Sequence, residues 1–150
     1  MALDWVLASL HHLAVFTLLA ILAGELALTA GRVDAAVVAR LSRIDTWYGV
    51  AAAAVVGAGL ARVFLGDKGA AYYGSNHLFW SKMAVFGLVA ALSVSPTLKF
   101  LEWRRAARAD PRFAPSANAV ASVRRFLLGQ TGLIALLPIL AAGMARGFGA

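Results

Sequence analysis

The chain contains no cysteine among its 150 residues. Disulfides, thiolate-held iron–sulfur clusters and haem attachment through C-x-x-C-H are therefore excluded. Charge is also scarce. Charged residues make up 14%, and seven acidic residues stand against fourteen Lys and Arg, for a formal net charge of +7. A nucleic-acid-binding domain can be this basic but needs polar surface around its charges. Here the basic residues lie between long apolar runs, so nucleic acid is not an expected partner and an anionic membrane lipid surface is. No internal repeat and no second domain is visible, and residues 1–150 read as one transmembrane unit.

Apolar surface is plentiful. Hydrophobic residues make up 61% of the chain and the mean hydropathy is +0.78. Soluble domains are closer to about half apolar, and small ones cannot hide such an excess. A helix needs roughly 20 apolar residues to cross about 30 Å of hydrocarbon. Four stretches qualify: residues 5–30, 47–65, 78–98 and 126–145. They are continuous and rich in Ala, Leu and Gly, not alternating, which argues against strands. The expected fold is all-α, an integral membrane four-helix bundle. No basic segment precedes the first run, and that run is longer than the apolar part of a cleaved leader, so it reads as a span.

The connections predict orientation. Residues 31–46 carry Arg32, Arg40 and Arg43. Residues 99–125 carry seven basic residues and are broken by Asp110-Pro111 and Pro115. Residues 66–77 hold a Gly66-Asp67-Lys68-Gly69 turn and Tyr72-Tyr73. The first and third connections thus hold ten Lys or Arg, while the second connection and the termini hold Lys68 and Arg146. The positive-inside rule expects a bacterial inner-membrane protein with both termini outside. Small residues at Ala14, Thr17, Ala20, Gly24 and Ala27, at Ala53, Gly57 and Ala61, and at Gly132 and Gly143 are the expected packing stripes. Pro138 is expected to kink the last helix. Trp5, Trp47, Trp80 and Trp103 are expected in the interfacial belts.

Ionisable groups inside spans are costly and point to function. His11, His12, Arg62 and Lys82 all fall in the outer half on this topology, with His77 and Arg146 at the same rim. The inner half holds only Glu25, expected to pair with a loop arginine or an N–H group. His11 and Glu25 are fourteen residues apart and share a face to within about 40°. That favours His11 for an interior role, with His12 as the open alternative. Taken singly, Lys82 and Arg62 could snorkel to the interface, and either histidine could simply bond to a neighbouring helix. Taken together, two histidines, a lysine and one or two arginines at one level suit haem b. Imidazole and a deprotonated amine ligate iron, and arginines hold propionates. The metal ligands would be His11 or His12 and Lys82, with Arg62 and Arg146 on the propionates. The absence of an inner histidine argues against a two-haem electron wire, and four short helices make a poor pore without oligomerisation, so a transporter or channel would have to be an oligomer.

The segments Arg43-Ile44-Asp45-Thr46-Trp47-Tyr48-Gly49, Gly59-Leu60-Ala61-Arg62-Val63-Phe64, Tyr72-Tyr73 and Asn76, and Phe79-Trp80-Ser81-Lys82-Met83 resemble a family of uncharacterised four-span bacterial membrane proteins. Ser95-Pro96-Thr97 and Met144-Ala145-Arg146-Gly147 fit the same family. That resemblance covers most of the chain and implies a fold without an activity. More remotely, Trp80-Ser81-Lys82 and the early histidines are similar to the small membrane protoporphyrinogen oxidases of the HemJ type. This likeness implies haem b bound through His11 or His12 and Lys82. Phe16 to Gly24 match that family's first helix poorly, so haem binding carries over more safely than the oxidase activity.

Two readings result. One is a haem b protein, with a redox activity on a porphyrinogen or a quinone and no catalytic residue identified. The other is a non-enzymatic accessory subunit of a larger membrane complex, or a homo-oligomer.

Overall fold

A computed structural model describes residues 2–149. They form α1 (Ala2–Leu28), α2 (Ala35–Leu65), α3 (Gly69–Ser75), α4 (His77–Ala109) and α5 (Ala117–Ala145). No strand occurs among the described residues. The four long helices are each apolar and long enough to cross a membrane.

Their ends are set by side chains that satisfy the first free N–H groups. Asp34 accepts from Val37 N at the start of α2, and Ser116 accepts from Ala119 N at the start of α5. Asn76 accepts from both Leu78 N and Phe79 N at the start of α4. Two of the expected connections are therefore mostly helix: α2 starts well before residue 47 and α4 runs well beyond residue 98. Those extensions are polar, so hydropathy alone does not register them. The connection at 66–77 also contains the short helix α3.

α1 packs along α2, and α4 packs along α5. Contacts of α2 with α4 and of α1 with α5 close the bundle. Both termini lie at one end, and the basic segments lie at the other. The main core cluster fills the half nearer the basic end, while Tyr73, Asn76 and Met144 are buried at the terminal rim. Leu18 and Leu22, Leu41 and Val55, Val89 and Phe100, and Leu127 and Ile134 are all buried in the core half. In the terminal half, no residue is buried over 2–17 of α1, 56–65 of α2, 77–88 of α4 or 135–143 of α5.

A small cap closes the terminal end. Asn76 Nδ2 donates to Phe148 O at 3.2 Å and His77 N to Gly149 O at 2.8 Å. Tyr72 Oη donates to Met144 O at 3.0 Å. Between the core and this rim, the helices of the terminal half have few fully buried side chains.

Two expectations about packing are corrected. The stripe on α1 is largely turned outward, with Thr17, Ala20 and Ala27 exposed, as are Ala53 and Gly57 on α2. The helices meet through larger side chains instead, Leu18, Leu22 and Glu25 on α1, Thr29 just beyond it, and Leu41, Tyr48 and Val55 on α2. Trp103 is not interfacial. It is 3% exposed and packs edge-on to Phe100 with ring centroids 5.8 Å apart. Trp5, Trp47 and Trp80 are exposed.

Candidate ligand site in the terminal half of the bundle

His11 faces α2. Its Nδ1 lies 3.1 Å from the carbonyl oxygen of Val55. A carbonyl only accepts, so Nδ1 carries the hydrogen, and in the neutral ring Nε2 then presents its lone pair. The ring rests against Gly59. A Cβ there would stand 3.4 Å from His11 Cε1 and 3.6 Å from Nδ1, an ordinary van der Waals contact, so the ring lies directly over this backbone.

His12 turns the other way. It is exposed, and its Nδ1 donates to Ala8 O of its own helix at 2.6 Å. Its ring meets His11 edge-on, with centroids 6.2 Å apart.

Lys82 and Arg62 lie on interior faces. Lys82 shares its stripe of α4 with Val89 and Pro96, both buried. Arg62 shares its stripe of α2 with Tyr48 and Val55, also buried. The charges of Lys82 and Arg62 are both felt at His11, and that of Arg62 at Lys82. Three helices thus place an imidazole, an amine and a guanidinium within electrostatic range of one another. Arg62 Nε is buried with no hydrogen-bond partner.

The other rim residues do not join them. His77 and Arg146 are exposed, and the backbone N–H of Arg146 caps the end of α5. Among the described residues no three His, Asp or Glu side chains cluster to hold a metal ion.

A second polar cluster lies in the core half, where only Glu25 was expected. Glu25 is 2% exposed and Gln130 1% exposed, with Asp45 and Tyr48 buried beside them. Tyr48 Oη donates to Gln130 Oε1 at 2.8 Å, tying α2 to α5. Thr97 Oγ1 donates to Asp45 Oδ1 at 2.8 Å, tying α4 to α2.

Glu25 Oε1 does not find the expected arginine or N–H and is buried with no partner. The nearby guanidinium of Arg124 bonds instead to Leu26 O at 2.8 Å and reaches Thr29 Oγ1 at 3.4 Å. Asp45 is close enough for its charge to act on Glu25. Sequence reasoning missed Asp45 because it fell in an assumed connection. The available signal was its spacing: Leu41, Asp45, Tyr48 and Val55 recur on one helix face.

These observations define an integral membrane four-helix bundle whose terminal half carries His11, Lys82 and Arg62. Residues 3–149 match the family described as predicted membrane protein (DUF2214), and the chain belongs to that family. No curated protein and no solved structure matches it.

Proposed function

We propose that the terminal half binds haem b, with His11 and Lys82 as the iron ligands and Arg62 on a propionate. The observation that carries this reading is the His11–Val55 bond. Metal-bound histidines usually donate their second ring nitrogen to a carbonyl or carboxylate, which fixes the ring and the ligating tautomer. Here that bond leaves Nε2 free, in the half of the bundle that also carries Lys82.

The remaining features fit the same group. The His11 ring lies against the Gly59 backbone, few side chains of the surrounding helices are fully buried, and Arg62 offers an unused donor. The macrocycle brings its own four nitrogens, so the site needs no cluster of three protein ligands. The exposed His12 and Arg146 are left out of the set. When bound, the haem would supply one-electron chemistry, and the protein's part is ligation, burial and charge. A redox substrate in this setting would be a porphyrinogen or a quinone. The basic end supports a bacterial inner-membrane protein with both termini outside.

The test is an absorption spectrum of detergent-purified protein after haem supplementation. A Soret band is expected, altered in His11→Ala and in Lys82→Met and unchanged in His12→Ala. Absence of any Soret band refutes the proposal. So does an unchanged spectrum when His11, His12 and Lys82 are all replaced.

The accessory-subunit reading draws on the Tyr48–Gln130 and Asp45–Thr97 bonds, which act as helix glue. It predicts co-purification with a larger complex and no chromophore.

A further inference from the structure

A groove of about 550 Å³ opens between α2 and α4 at the basic end. Arg43, Arg104 and Arg108 line it with Thr46 and Trp47, over a floor of Val38 and three alanines. The register of the two helices is fixed just inside it by the Thr97–Asp45 bond and by Arg104 Nη1, which lies 3.5 Å from Ser42 Oγ. Arg43 and Arg104 therefore come to one level on facing helices. Arg108 follows about one turn beyond Arg104.

No carboxylate lines this groove. The ion pair Lys99–Glu102 at the same end leaves these arginines out. Three guanidiniums around one concavity make a strong field for an anion, and their planar forks suit phosphate oxygens.

The position selects the source of that phosphate. Trp47 is 60% exposed and stands where the 47–65 apolar stretch begins, as expected of a side chain at the headgroup boundary. Arg43 lies one turn further out, about 6 Å along the helix. An acidic phospholipid can set its headgroup among the arginines while its chains run down past Trp47 into the bilayer. Basic pockets between membrane helices take lipid headgroups in this way. We propose that this groove is a binding site for the phosphate headgroup of an acidic phospholipid.

The experiment is native mass spectrometry of the full chain in detergent, titrated with phosphatidylglycerol, phosphatidylcholine or inorganic phosphate. One retained phosphatidylglycerol is expected, held in clear preference to phosphatidylcholine and undisturbed by inorganic phosphate. Replacing Arg43, Arg104 and Arg108 with Gln should weaken that binding by roughly 100-fold, taking the usual contribution of a basic residue at an anionic surface. Replacing Arg32, Arg105 and Arg112 removes the same charge outside the groove and should leave the binding within a few-fold.

Equal retention of the two lipids by the unaltered protein overturns the proposal without any variant. Equal loss in both triple variants overturns it too, because diffuse attraction would then suffice. Displacement by inorganic phosphate would show a site for the free anion and not for a lipid.

Discussion

Replacing Tyr48 by Phe removes one hydroxyl from the densest part of the bundle. That hydroxyl donates to Gln130 Oε1 at 2.8 Å, and Gln130 is 1% exposed. Its other contact, Nε2 to Phe126 O, is a long 3.4 Å within its own helix. Water cannot reach the carbonyl left behind, so Tyr48→Phe costs both the bond and the stranded acceptor. Hydrogen bonds between membrane helices average about 0.6 kcal/mol and reach about 1.7 kcal/mol. A buried unsatisfied group costs about 1–3 kcal/mol.

The expected loss is about 1–2 kcal/mol for Tyr48→Phe, and similar for Gln130→Leu, which strands the hydroxyl instead. Replacing both partners by apolar groups leaves nothing stranded and should return stability close to that of the parent. The double-mutant cycle should therefore show a coupling of about 2–4 kcal/mol, the two single losses together. The assay is reversible unfolding in mixed micelles with rising SDS, followed by helical circular dichroism. Additive single losses, with the double variant as unstable as their sum, would refute the claim that this bond joins α2 to α5.

Two further outcomes follow from the same structure. Asn76→Ala removes the cap of α4 and the tie to Phe148 together, and a lost cap alone costs about 0.5–2 kcal/mol. It should lower stability by about 2 kcal/mol and speed proteolysis of the last residues, measured by mass spectrometry. Glu25→Gln keeps the shape and removes a carboxyl whose Oε1 has no partner, so it should be neutral or stabilising by about 1 kcal/mol in the same unfolding assay. A clear loss of stability would mean that Glu25 holds a partner through that oxygen.

Read alone, the sequence determined the number of membrane helices and that the fold is all-α. Length and continuous hydropathy are local properties, and the apolar runs beginning near residues 5, 47, 78 and 126 carry them without reference to any neighbour. It also gathered His11, Arg62 and Lys82 at one level, because helical rise converts position into depth.

Facing was decided only by the tertiary structure. In lipid, an outward side chain is as apolar as a core one, so the apolar stripe that orients a soluble helix is nearly absent. That is why small residues such as Ala20 and Gly57 were assigned to packing faces and are exposed. It is also why His11 and His12 could be ranked but not separated until Val55 O was placed beside one ring. Asp45 and Trp103 needed the structure for a related reason. Both lie on polar helix beyond the hydropathy signal, and only packing against Thr97 and Phe100 shows that they belong to the core half.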